Sequence, residues 1–173
     1  IFQPIVRREL MKTKVAVKDY YLVYLPNYSI EKLTQVSSHF ESYNWVIFSP
    51  LVENSSTLNN IRLEQINEKK FNKTLLSSKG VICSSGFSTL SEVLYLNKPL
   101  LTIPITYHFE QIYNASIIKQ LGGIVLNELN LKNTKTVQNW LDNLTPVGIS
   151  NSTDSHEIVD RVLIDFIKSF TFD

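Results

Sequence analysis

The chain has 173 residues, 43% of them hydrophobic and 19% charged, which suits one domain with a substantial core. Lys+Arg number 17 and Asp+Glu 16, a formal charge of +1, which excludes the basic footprint of a nucleic-acid binder. The one cysteine, Cys83, excludes an intrachain disulfide and a cysteine zinc site, and no apolar stretch approaches the ~20 residues of a membrane-spanning helix.

His39, His108 and His156 are too scattered for metal-ligand spacing, and the expectation is that no metal and no other cofactor is needed. Asn-x-Ser/Thr triplets begin at Asn27, Asn54, Asn72, Asn114, Asn143 and Asn151, as a composition rich in Asn, Ser and Thr produces without glycosylation. A reducing, cytoplasmic setting is expected. Residues 1–18, with Pro4 and several charges, read as an incoming interdomain linker, residues 19–153 as a domain, and residues 154–173 as a C-terminal helix packed on or beside it. The lack of an initiator Met suggests that further chain lies upstream.

The apolar run 20–26, ending at Pro26-Asn27, predicts a strand buried on both faces, as in a parallel sheet. Ser29 is a natural N-cap for a helix carrying Ile30, Leu33, Val36 and Phe40 at helical spacing. A second strand follows over 44–49, then a polar loop through Asn60, a short strand near 61–63 and a helix over 68–77 with Phe71, Leu75 and Leu76 inward. The alternation continues with strand 80–84, helix 88–96, strand 99–104, helix 109–121 and strand 123–127. Helix 134–144 buries Val137, Trp140, Leu141 and Leu144, and 154–170 reads as the last helix. Alternation with short connections implies right-handed crossovers and an α/β fold, a Rossmann-like doubly wound parallel sheet.

In such sheets ligands bind beyond the carboxyl ends of the strands, so the strand-to-helix loops matter most. In Cys83–Glu92 a buried strand runs through Ser84, Ser85 and Gly86 into a helix. Gly86 would allow a tight turn and close backbone approach. Ser88, Thr89 and the free N–H groups of the first turn would form an anion site, with Glu92 a turn further on. Without GxGxxG spacing, an ordinary capped helix is the favoured reading of this stretch taken alone. The loop Pro104–Ala115 adds His108, Glu110 and Gln111 at the same sheet edge, where carboxylate and amide could satisfy sugar hydroxyls.

Together, residues 84–123 resemble the donor-site signature of GT-B glycosyltransferases, nearest the family 28 type that includes the peptidoglycan lipid-intermediate N-acetylglucosamine transferase. The shared features are a Gly-centred turn, a Ser/Thr pair, a Glu one turn on, a Pro loop and a Glu/Gln pair before Asn114-Ala115. Where the pattern has Gly, this chain has Asn97, which also tolerates the left-handed conformation. The linker and first strand resemble an uncharacterised bacterial and archaeal branch of the group.

The resemblance implies the C-terminal, donor-binding half of a metal-independent transferase that moves a sugar from a UDP-sugar to an acceptor hydroxyl. Gly86, Phe87, Ser88 and Thr89 would cradle the diphosphate, Glu92 the ribose, and Glu110 and Gln111 the sugar. Gln65 and Ile66 would lie against the base, and Asn27 with Tyr28 would face the phosphates. No catalytic residue is expected in this half, His108 being a secondary candidate. The implied partners are a nucleotide-sugar and an N-terminal acceptor-binding domain, through which alone a peripheral membrane contact would arise. A detached donor-binding subunit, a nucleotide-sugar epimerase-like domain and a degenerate nucleotide-binding module are the alternatives.

Overall fold

The computed structural model describes Leu10 and residues 15–147. The helix expected at 154–170 lies outside the described residues, as does most of the linker.

Among the described residues seven strands form one sheet: β1 (Tyr21–Tyr24), β2 (Trp45–Ser49), β3 (Ser56–Leu58), β4 (Ile61–Gln65), β5 (Gly80–Ser84), β6 (Leu100–Ile103) and β7 (Ile124–Val125). The helices are α1 (Ile30–Ser38), α2 (Glu68–Ser77), α3 (Phe87–Tyr95), α4 (Phe109–Gln120) and α5 (Thr134–Asp142), with a 3-10 turn at Leu131–Asn133. The sheet order is β3-β4-β2-β1-β5-β6-β7. All neighbours pair in parallel except β3, which runs antiparallel to β4. Without the β3 edge this is the doubly wound 3-2-1-4-5-6 order, whose direction reverses between β1 and β5.

Alternation along each strand sorts the core into two layers. Tyr21, Val23, Trp45, Ile47, Ile82, Leu101 and Ile103 pack with Leu33 and Val36 of α1 and with Val137, Trp140 and Leu141 of α5. Leu22, Val46, Phe48, Val81, Cys83 and Leu100 pack with Phe71 and Leu75 of α2, Leu90 and Val93 of α3 and Ile118 of α4. Covering both faces is why the central strands read as unbroken apolar runs. Gly80 packs closely here: an added Cβ would stand 3.0 Å from the Trp140 ring, which would have to give by a few tenths of an ångström.

Helix ends follow local chemistry. Ser29 and Asn67 cap α1 and α2, accepting from the N–H groups of Lys32 and Lys70. Helix α3 closes with Asn97 at φ 49°, Asn97 N–H donating to Leu94 O and Lys98 N–H to Val93 O, a Schellman closure in the left-handed conformation expected of this Asn. Helix α4 ends the same way through Gly122 at φ 84°.

Two expectations need correction. The polar stretch before Asn60 is not all loop: Ser56–Leu58 forms the exposed edge strand, turning at Asn59 with φ 51°. The strand expected over 123–127 is only Ile124–Val125, because β6 offers it just Leu101 and Thr102 as partners.

Candidate functional site

Because six strands run parallel, the loops after β1, β4, β5, β6 and β7 all emerge at one edge of the sheet. Helices α1 and α3 leave this edge toward opposite faces, opening a crevice between β1 and β5.

The turn from β5 into α3 faces that crevice. Gly86 is the N-cap of α3 and supplies no side-chain cap, unlike Ser29 and Asn67 on α1 and α2. The first-turn N–H groups of Phe87, Ser88 and Thr89 therefore gain no capping oxygen from Gly86, and the positive end of the helix dipole points into the crevice. The backbone of Gly86, φ −69° and ψ 137°, is open to any residue, which corrects the tight-turn expectation. An added Cβ would meet only Gln111 Nε2, at 3.9 Å. Nothing in the described fold demands glycine there.

A polar network holds the turn in place. Asn114 Nδ2 of α4 donates to Ser85 O at 3.0 Å, the Ser85 and Thr102 hydroxyls lie 2.9 Å apart, and Thr102 donates to Cys83 O at 3.0 Å. All four residues are buried. Burial pushes the Cys83 thiol up to about 12, against a smaller lowering by Thr102, so this cysteine carries no thiolate chemistry. Asn114 and Ser85 were not singled out as site residues by their spacing; the signal was Asn114 following Glu110-Gln111 by one helical turn. Gln111 is buried as well, its Oε1 accepting from the N–H of Ile105 at 3.1 Å while its Nε2 faces the Gly86 turn.

Two clefts open at this edge of the sheet. On the β4 side, Tyr24, Ile66, Glu68, Phe71 and Thr89 line a space of about 290 Å³. Ile66 lines this space, while Gln65, exposed at the end of β4, is not among the lining residues. On the β6–β7 side a polar cleft of about 410 Å³ is lined by Asn27, Tyr28, Lys32, Thr106, Asn127 and Glu128, with Pro104 at its base. Tyr28 contributes its ring to this cleft, but its hydroxyl is committed, accepting from the N–H of Leu129 at 3.0 Å.

Of the remaining candidates, Glu92 is 2% exposed and already engaged within the fold. His108 is the exposed N-cap of α4, without a side-chain cap bond, and Glu110 is exposed in the first turn. Between them and β6, Tyr107 takes a left-handed φ of 65° and is 90% exposed, with Phe109 at 88%. A bulky residue in that region is strained.

Sequence reading missed Glu64, a buried carboxylate on β4 paired with Lys70 of α2 and with Arg62 at 3.0 Å, and hydrogen-bonded by Ser55. Burial pushes its carboxyl up, but the Lys70 and Ser55 hydrogen bonds and the two cations outweigh this and hold it below the usual range. The pairing fastens the start of α2, and with it Glu68 and Phe71 of the smaller cleft. Among the described residues no helix is long and apolar enough to cross a membrane.

With this geometry in view, comparison with known proteins is informative. The glycosyltransferase SnogD from Streptomyces nogalater superposes with a TM-score of 0.51 at 16% identity, covering 92% of this chain and 46% of SnogD. The spinosyn rhamnosyltransferase SpnG, complexed with thymidine diphosphate, gives 0.56 at 14% identity, covering 92% and 47%. At these identities the likeness establishes the fold, the Rossmann-like half of a GT-B architecture, and the chain spans about half the length of both enzymes. No curated protein matches the chain in sequence. The sequence profile of Glycosyl transferase family 1 matches residues 1–145, and the chain belongs to that family.

Proposed function

We propose that the chain is the donor-binding half of a sugar transferase and takes a nucleoside diphosphate sugar, UDP-linked, at the crevice between β1 and β5. One observation carries this reading: the α3 N-terminus lies at the switch point of the sheet with no side-chain cap and with Thr89 of its first turn lining a cleft. Helix N–H groups and dipole favour a diphosphate at Gly86–Thr89. The Tyr24, Ile66 and Phe71 wall suits a flat base. Glu92 receives the ribose, and the sugar extends toward Glu110, Gln111 and the β6–β7 cleft. The thymidine diphosphate held by SpnG supports a nucleoside diphosphate as the ligand class, and the family 28 resemblance supports uracil.

As the sugar–phosphate bond breaks, negative charge builds on the departing diphosphate. Preorganised N–H donors stabilise that charge without the need for a metal. The acceptor and the base that activates it belong to a second, N-terminal domain, so this chain binds donor and does not turn over alone.

A thermal-shift screen of UDP, TDP and their sugars, with EDTA and with magnesium, tests the reading. At a hundredfold excess over Kd, UDP should stabilise the fold by about 2.7 kcal/mol in either condition. No shift with any of them at millimolar concentration would refute it.

A further inference from the structure

The β6–β7 cleft holds more chemistry than the resemblance assigned to it. Lys32 of α1 and Glu128 after β7 form an ion pair at its wall. Lys32 also lies 5.2 Å over the Tyr28 ring, and Glu128 accepts from Asn130 Nδ2 at 3.0 Å, so both ends are held in place. Asn27, Thr106 and Asn127 are exposed into the same space, and their side chains make no hydrogen bond to another described residue. Glu110 is exposed outside this lining and Gln111 has its oxygen committed to Ile105.

We propose that Lys32, Glu128, Asn27, Thr106 and Asn127 form the subsite that reads the hydroxyls of the transferred sugar, and that it selects a neutral, hydroxyl-rich hexose. This rests on the donor-binding reading above. The carboxylate accepts from two hydroxyls, the ammonium donates, and the amides and the threonine hydroxyl do both. Lys32 and Glu128 neutralise one another, so the cleft carries no net charge to draw an acidic sugar. A deoxygenated position would forgo a hydrogen bond to the cleft, and because these side chains are exposed, water would satisfy the group left behind and the discrimination would be modest. Burial of Glu128 is slight, and hydrogen bonds from Lys32 and Asn130 keep its carboxyl below the usual range, ionised at neutral pH.

Calorimetry on this chain with UDP and with UDP-glucose, UDP-galactose and UDP-N-acetylglucosamine tests the assignment. At least one UDP-sugar should bind about tenfold more tightly than UDP, as a hydrogen bond to a charged group provides. Glu128→Gln and Thr106→Val should each remove most of that gain while UDP affinity stays within about twofold. Both sites are solvent-exposed, so the melting temperature should hold, which separates lost recognition from lost fold. If UDP binds but no UDP-sugar gains over it, or if both variants keep the full gain, the subsite is wrong while the donor reading stands. If UDP itself does not bind, the donor reading fails and this inference fails with it.

Discussion

Gly86 separates fold from function at a single atom. Its backbone suits alanine and the added methyl meets only Gln111 Nε2 at 3.9 Å, so in Gly86→Ala the gain of about 0.4–1 kcal/mol from restricting the unfolded chain is offset by alanine's poorer N-capping, and stability should change by less than about 1 kcal/mol. The same methyl would stand over the first-turn N–H groups and weaken UDP binding. Denaturation should therefore move little while calorimetry shows weaker binding, and unchanged binding would remove the ligand-approach argument. Glu92 calls for gentler substitution, because a residue 2% exposed and engaged in the fold cannot be cut to alanine without disturbing its neighbours. Glu92→Gln should weaken UDP binding about tenfold, and 2′,3′-dideoxy-UDP should bind wild type and variant alike; a variant that still discriminates the two nucleotides would reassign the ribose. At the opposite end of the sheet, Lys98 is buried with Nζ donating to Ser78 O at 2.6 Å, and desolvation lowers it to about 8 from 10.5. Between those values the unfolded chain binds the extra proton, so stability rises with pH across that window. Wild type measured against Lys98→Met should gain between pH 8 and pH 10, and a flat difference would show that the ammonium is solvated.

At the scale of elements, the clamp from α4 to the end of β5 decides whether the Gly86 turn is in register. Asn114→Ala would leave Ser85 O buried without its donor, a cost of about 1–3 kcal/mol, and should weaken UDP binding although Asn114 is placed away from the ligand. The Glu64 pairing sets the other wall. Its stabilisation is fully present above the ordinary carboxyl value of 4.5 and is lost as pH falls through the lower folded value. Urea midpoints of wild type and Glu64→Gln should therefore draw together as the pH falls below 4.5. Elements with strong periodicity were legible in sequence: α2 and β5 fall at 68–77 and 80–84 as read, because Phe71, Leu75 and the apolar run Val81–Cys83 leave one register that buries them. Edge strand β3 was not, because Ser56, Thr57 and Leu58 are all exposed and carry no alternation. Its existence depends on pairing with β4, which no local pattern announces.

For the whole molecule, the alternation of strands and helices was enough to place the strand-end loops on one edge, since parallel strands joined by right-handed crossovers allow little else. What spacing could not reveal was which polar side chains the fold keeps for itself. Gln111 and Tyr28 look like ligand-binding residues in sequence, yet each spends a polar atom on a neighbouring loop: Ile105 and Leu129. The β6–β7 cleft was equally hidden, because it assembles Asn27 and Lys32 with Asn127 and Glu128 from positions about a hundred residues apart. The central claim is that a nucleoside diphosphate seats on the α3 N-terminus at the switch point of the sheet. Titrating the ¹⁵N-labelled chain with UDP and following its amide resonances tests this most directly. The account predicts the largest shifts at Gly86, Phe87, Ser88 and Thr89, smaller ones at Asn27 and Ile66, and none at Lys79, Lys98 or Gly123 on the opposite edge. Saturable binding that moves the opposite edge and leaves Gly86–Thr89 untouched would contradict it.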